Sequence, residues 1–217
     1  MRGGARAQAS TAMKREMQLR LKRIADLVLA SYGLVICAPV LALAAAAIKL
    51  DSEGPVFFRL RAAGLRRQAF GQWKLRTMVN EAREKGDYFE TSSSDPRITR
   101  VGRFLRRWSI DELPQLWNVV CGQMSLVGPR PMLYDLASRF SPQQSRRLAM
   151  RPGLTGLAQV KGRNLLSWAE RIQLDAFYVE HYSLCMDFRI IVCTIPVWIQ
   201  GRGIYGPDGH VRIPDLG

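Results

Sequence analysis

Leu27 to Ile48 reads LVLASYGLVICAPVLALAAAAI and carries no charged side chain. About 20 apolar residues suffice to cross a bilayer core as a helix, so the run reads as a membrane segment. A core helix of a soluble domain is the other reading, but such a helix usually keeps a polar face. Pro39 stands near the middle of the run, where a proline removes a backbone hydrogen bond and crowds the preceding turn, at about 3 kcal/mol unless the axis bends. Both flanks are basic, with Lys22 and Arg23 before and Lys49, Arg59, Arg61, Arg66 and Arg67 after. Lys/Arg-rich flanks favour the cytoplasmic side. Two such flanks on one face favour a re-entrant helix-break-helix hairpin, broken near Pro39, over a straight span. Ser31, Gly33, Ala38 and Ala42 are small enough to let neighbouring helices approach.

Working outward, residues 1–21 form a basic leader that becomes helical from about Glu16. Its charge could open a secretory signal, but no small-residue cleavage site and soluble continuation follow the apolar run. Residues 22–50 hold the membrane segment, and residues 51–217 remain for one folded domain. The 217 residues suit one domain with an appendage. A net charge of +14 fits nucleic acid, an anionic membrane surface or negatively charged small substrates. Cys37, Cys121, Cys185 and Cys193 make no C-x-x-C pair and there are two histidines, which excludes the usual zinc spacings and leaves reduced thiols as the expectation.

Gly54-Pro55 punctuates the exit from the apolar run. Val56-Phe57-Phe58 then reads as a short strand, the Gly64 region as a turn, and Ala69 to Met78 as a second extended run. Glu81 to Gly86 reads as a helical turn and Thr91 to Pro96 as loop. Arg97 to Trp108 (RITRVGRFLRRW) places Ile98, Val101, Leu105 and Trp108 at helical spacing with the arginines opposite. That is an ordinary amphipathic helix, and one also suited to a membrane surface. Near the end, Phe188, Ile191, Val192, Ile195, Trp198 and Ile199 form a second amphipathic stripe, bent or interrupted at Pro196, which either packs on the core or lies on the bilayer.

The chemistry concentrates in Arg106 to Pro131, RRWSIDELPQLWNVVCGQMSLVGPRP. Ser109-Ile110-Asp111-Glu112 matches the S-x-x-E capping box, which would give Glu112 a structural task and explains Asp111 less well. Neighbouring carboxylates repel, and a divalent cation is a common remedy. Prolines on both sides of Arg130 stiffen its backbone for bidentate phosphate or carboxylate binding. Arg151 and Arg163 lie in similar Gly/Pro-rich turns, RPGLTG at 151–156 with Gln159 following, and KGRN at 161–164.

These motifs, taken together and in order, resemble the bacterial sugar transferases, the monotopic phosphoglycosyl transferases that start glycan assembly on a polyprenyl carrier. The resemblance covers about Lys22 to Thr194. It rests on KRIAD, GPVFF (54–58), KLRTM (74–78), DPRITRVGRFLRRWSIDELPQLWNV (95–119), MSLVGPRP (124–131), RPGLTGLAQVKGRN (151–164) and LDAFYVEHYSLCMD (174–187). It implies a helix-rich α+β catalytic domain with a small sheet, occupying 51–217 on the cytosolic face of the bacterial inner membrane behind the re-entrant helix. The implied partners are polyprenyl phosphate, a nucleotide diphosphate sugar and anionic lipid, with no nucleic acid. The implied reaction is sugar-phosphate transfer with Mg²⁺, in which Asp111 is the nucleophile and Glu112 its metal-binding partner. An aspartate can carry a covalent phosphoryl group and split one transfer into two displacements. Lys74, Arg76, Arg130, Arg151 and Arg163 would neutralise charge, and Pro129, Pro131, Thr155 and Gln159 complete the expected substrate-binding set. With no multi-helix extension before the apolar run, the chain resembles the minimal catalytic form. It departs from the family pattern at Leu60, Ala62, Arg67 and Gln123, where the family usually has Gln, Arg, Gly and an acid, and carries Ala38-Pro39 in place of Ser-Pro. A non-catalytic membrane scaffold is the alternative those departures raise.

Overall fold

The computed structural model describes residues 2–80, 82, 91–92, 94–201 and 203–211, with side chains from Met13 onward. Helix α1, Arg2–Asp51, includes the whole apolar run and stays helical through Pro39, so no loss of helical conformation marks the break expected there. Its inward face follows helical spacing: Lys22, Asp26, Ala30, Ala44 and Ile48 are buried. Ala30 and Leu34 pack with Leu116, Val119 and Met124, while Leu41, Ala44 and Ile48 pack with Leu75 and Leu105. Between these two contacts, Val35, Ile36, Ala38, Pro39 and Val40 are exposed. α1 therefore grips the body at two places and leaves the stretch around Pro39 uncovered.

Polar side chains lock the first grip. Lys22 Nζ lies 2.6 Å from Asp187 Oδ2, and the Tyr178 hydroxyl donates to Asp187 Oδ1 at 2.6 Å. Asp26 accepts from Ser125 Oγ at 2.7 Å and from the Leu126 amide at 2.9 Å. The KRIAD motif is thus the seam between helix and body.

After α1 the chain forms the hairpin β1 (Phe57–Ala63) and β2 (Ala69–Leu75), in register from Phe57 opposite Leu75 to Ala63 opposite Ala69. Strand β3 (Thr91–Ser92) is short, so the polar stretch read as loop contributes a strand. Helix α2, Arg100–Arg107, is capped by Thr99, whose hydroxyl accepts from the Gly102 amide at 2.9 Å. A 3-10 turn, Ile110–Glu112, leads into α3 (Gln115–Val120) and β4 (Ser125–Val127). Strand β5 (Met132–Leu133) joins β1, giving a sheet ordered β2-β1-β5. The open edge of β2 is covered by Asn118, which accepts from the Trp73 amide at 2.9 Å and donates to the Gly71 carbonyl at 2.8 Å.

Short helices α4 (Tyr134–Ser138) and α5 (Pro142–Ser145) follow, then a 3-10 turn, Arg146–Ala149. Strand β6 (Gly153–Thr155) runs parallel to β4. Helices α6 (Leu157–Lys161), α7 (Trp168–Glu180) and α8 (Leu184–Gln200) complete the helical wall, and β7 (His210–Val211) returns to pair with β3. α8 runs through Pro196 without interruption. Its stripe faces outward: Phe188, Val192, Ile195, Trp198 and Ile199 are exposed while Asp187 and Ile190 are buried. The stripe therefore does not pack on the core. The helical turn expected at Glu81 to Gly86 lies outside the described residues.

Candidate active site

The acid pair is not on the first turn of a capped α-helix. Ser109 adopts left-handed backbone (φ 51°) and its side chain makes no cap, and Ile110–Glu112 is a 3-10 turn. A non-glycine residue held there costs on the order of 1–3 kcal/mol and is typical of functional sites. True capping boxes form elsewhere, at Ser141/Gln144 and Ser167/Glu170. Freed from capping, Glu112 Oε1 accepts from Lys74 Nζ at 2.8 Å and from Arg130 Nη2 at 2.8 Å. Lys74 comes from β2 and Arg130 from the turn between β4 and β5, so three segments meet at one carboxylate.

The two acids differ sharply in environment. Asp111 is buried and accepts no hydrogen bond among the described residues. Burial pushes its carboxyl up to about 6, helped by the Glu112 charge and opposed by Lys74, Arg106 and Arg130. Burial acts on Glu112 in the same direction, but Arg130 and Lys74 beside it win and hold it well below the usual carboxylate range. One carboxylate is fixed in an ion-pair network, and its neighbour is left with its oxygens free.

Both line a cleft of about 320 Å³. Its floor comes from Leu60, Gln72 and Lys74 of the hairpin, one wall from Arg106 and Asp111-Glu112, and another from Arg130 to Leu133. Gln159, Arg163, Trp168, Arg171 and Asp175 form the helical side together with Arg147, and Gly203 to Tyr205 complete the lining. Lys74, Arg106, Arg130, Arg147, Arg163 and Arg171 face three acids, Asp111, Glu112 and Asp175. The excess of cations favours a ligand with several phosphate charges.

Of the residues singled out in the sequence, the structure brings Asp111, Glu112, Lys74, Arg130, Pro131, Gln159 and Arg163 to this cleft. Arg76, Arg151, Thr155 and Pro129 lie outside its lining. Arg76 donates to the carbonyls of Glu53 and Ser52 and so closes the end of α1. Arg151 Nε donates to the Gly122 carbonyl at 2.8 Å, and the Thr155 hydroxyl meets that of Thr194 at 2.7 Å. Pro129 offers its carbonyl to the Gly153 amide at 2.9 Å. These residues build the scaffold of the two Gly/Pro motifs: an added Cβ at Gly153 would collide with the Gly128 amide, and one at Gly156 with the Gly128 carbonyl. Glycines there let the two turns lie backbone to backbone.

Sequence reading missed Arg106, Arg147, Trp168, Arg171 and Asp175. Arg106 sits in the quoted motif, but helical spacing marked it only as a solvated cation. Asp175 sits within LDAFYVEHY, where a lone acid on a helix carries no signal until folding buries it. Among the departures, Leu60 lines the cleft, Ala62 is fully buried, Arg67 donates to Ser145 Oγ at 2.6 Å, and Gln123 accepts from Asn118 Nδ2 at 2.6 Å.

Among the described residues no group of three or more His, Cys, Asp or Glu side chains could hold a metal. The Asp111-Glu112 donors still fit Mg²⁺, which takes one or two carboxylates and completes its shell with water and substrate phosphates.

A protein-family model described as bacterial sugar transferase matches residues 17–201. The chain is 46% identical over 193 residues to the UDP-glucose:undecaprenyl-phosphate glucose-1-phosphate transferase of Caulobacter vibrioides, covering 85% of this chain and 72% of that protein. It is 39% identical over 184 residues to the uncharacterized sugar transferase EpsL of Bacillus subtilis, covering 85% and 90%. The exopolysaccharide production protein ExoY of Rhizobium meliloti is 39% identical over 202 residues, covering 85% and 88%.

Proposed function

The chain belongs to the bacterial sugar transferase family and is a phosphoglycosyl transferase, and on that premise we propose that it moves a sugar phosphate from a nucleotide diphosphate sugar to polyprenyl (undecaprenyl) phosphate. The product begins an exopolysaccharide or related glycan, in keeping with the names of its relatives. The observation that carries the reading is the division of labour in the acid pair: Glu112 is bound by Lys74 and Arg130, whereas Asp111 accepts no hydrogen bond among the described residues.

In the first displacement an Asp111 carboxylate oxygen attacks the phosphorus that bears the sugar, the bond from that phosphorus to the nucleoside phosphate breaks, and nucleoside monophosphate leaves with the electron pair. In the second, an oxygen of polyprenyl phosphate attacks the same phosphorus and the Asp111 oxygen departs as carboxylate. Polyprenyl diphosphate sugar and nucleoside monophosphate are the products. Arg130 and Lys74, held on Glu112, stand beside the reacting carboxylate to balance charge on the phosphoryl oxygens. Asp111 and Glu112 would hold Mg²⁺, which when bound supplies neutralisation of the diphosphate. Glu112 takes both its hydrogen bonds on Oε1, which leaves Oε2 for a metal.

The lipid substrate requires a membrane, and the outer surfaces suit one. α1 contains a segment long and apolar enough to cross a bilayer, and Val35, Leu43 and Tyr32 on it are 74%, 73% and 66% exposed. With the outward stripe of α8, this supports seating on the cytosolic face of the inner membrane, with the uncovered stretch around Pro39 as the apex of a re-entrant helix. No observation favours the scaffold reading, because Leu60 and Ala62 leave the acid pair and its cations assembled.

The test is release of nucleoside monophosphate from a panel of nucleotide diphosphate sugars by purified protein with polyprenyl phosphate and Mg²⁺. Release that needs both the lipid and Asp111, lost in Asp111→Asn, is the expected result. A membrane-bound, folded protein releasing nothing from any donor would overturn the reading in favour of the scaffold.

A further inference from the structure

In the helical side of the cleft lies an ion pair to which the transfer chemistry above assigns no role. Arg147, 2% exposed, and Asp175, 1% exposed, meet with Nη2 2.5 Å from Oδ2. Two charges are rarely buried together without a task, because desolvation can exceed their mutual attraction. Among the described residues, Asp175 Oδ1 and Arg147 Nε and Nη1 find no hydrogen-bond partner, so satisfying each other does not account for the pair.

Its task shows in a third contact. Arg147 Nη2 also donates to the backbone carbonyl of Arg130 at 2.9 Å. That residue stands between two prolines, and neither proline has an amide hydrogen to donate. The turn is held on its outer sides by backbone bonds, from the Gly128 amide to the Thr155 carbonyl at 2.9 Å and from the Gly153 amide to the Pro129 carbonyl at 2.9 Å. Among the described residues, the peptide of Arg130 itself is held by Arg147. The Arg147 guanidinium is in turn fixed by the rings of Trp168 and Phe140, 5.4 and 5.9 Å away, and by Asp175. On the far side, the Arg130 side chain reaches Glu112.

We propose that the buried Arg147–Asp175 pair is the positioning device for Arg130: it fixes the backbone from which the Arg130 guanidinium reaches the acid pair, and so contributes to phosphoryl transfer through Arg130. A planar guanidinium can serve a carboxylate and a carbonyl together, whereas a lysine ammonium at the end of a flexible stem holds neither in the same geometry. A displacement of about 1 Å at a catalytic group can lower rate about 100-fold. The kinetic part of this inference rests on the transferase reading given above.

The experiment is a double-mutant cycle on turnover, with Arg147→Lys made in the wild type and in Arg130→Ala, beside hydrogen exchange of the 128–133 segment. Arg147→Lys is expected to lower kcat about 10- to 100-fold with donor KM changed less than about twofold. In the Arg130→Ala background the same change should cost less than about twofold, since residues acting as one unit are non-additive. Exchange at 128–133 should accelerate while that of β1 and β2 stays constant. Equal losses in both backgrounds, or a rise in donor KM with kcat intact, would show a direct role and overturn the proposal, as would unchanged exchange. Asp175→Asn, which keeps the shape of the side chain, runs through the same cycle should Arg147→Lys fail to fold. A wild type with no turnover would remove the transferase reading, while the exchange measurement would still decide whether Arg147 holds the turn.

Discussion

At the scale of the residue, burial without a hydrogen-bond partner among the described residues makes Asp111 a burden on the fold, one that the proposed nucleophile role would account for. Its carboxyl, and that of Asp175, are each pushed up to about 6 from 3.8, chiefly by burial. A carboxyl that holds its proton more tightly folded than unfolded contributes stability that is present below the unfolded value and lost as pH rises from about 4 to about 6. In metal-free buffer at pH 7, Asp111→Asn should therefore raise the unfolding free energy by about 1–3 kcal/mol, since each tenfold change in proton affinity is worth roughly 1.4 kcal/mol and the cations around the carboxylate offset part of it. The gain should vanish at pH 4, and denaturant titration at both values checks it. A variant that loses turnover and gains stability would mark Asp111 as functional, because structural residues lose both. The sequence made the acid pair visible but allotted Glu112 to a cap; only the left-handed Ser109 and the arrival of Lys74 and Arg130 gave it an electrostatic task.

At the scale of the element, α1 is clamped by charge at one end and by apolar packing at the other. Lys22→Met leaves Asp187 buried without its counter-ion, with the Tyr178 hydroxyl the one side chain among the described residues still donating to it, and should destabilise the fold by about 3–5 kcal/mol. Lys22→Met with Asp187→Leu should recover most of that loss, and thermal unfolding in detergent compares the two. The seam of β4 and β6 allows no side chain at Gly153, so Gly153→Ala should cost about 1–3 kcal/mol or more and reduce the folded yield. Periodicity made α2 legible through Ile98, Val101 and Leu105, and the Gly64 turn identified the hairpin. Periodicity alone could not say which way the α8 stripe faces, because an apolar face is equally consistent with core and lipid until its neighbours are known.

At the scale of the molecule, a positive charge of +14 and two uncovered apolar surfaces act together. Salt screens the first and leaves the second, so membrane flotation should survive a high-salt wash in the wild type. Ile195→Glu with Phe188→Ala on α8 should weaken that retention without lowering the melting temperature, since both side chains are exposed. What the sequence determined by itself is local: an uncharged run long enough for a bilayer, a hairpin, an amphipathic α2, and an acid pair spaced from a proline-flanked arginine. Each is set by residues within a few turns of one another, so composition and period suffice to read it. What the tertiary structure decided is non-local: that Lys74 and Arg130 converge on Glu112 from 38 and 18 residues away, that Arg76, Arg151 and Thr155 serve the scaffold, and that Arg147 and Asp175 stand behind Arg130. The physical reason is that cations outnumber acids in this chain, and only burial and distance, which are properties of the folded packing, select the few that share a cleft with a carboxylate.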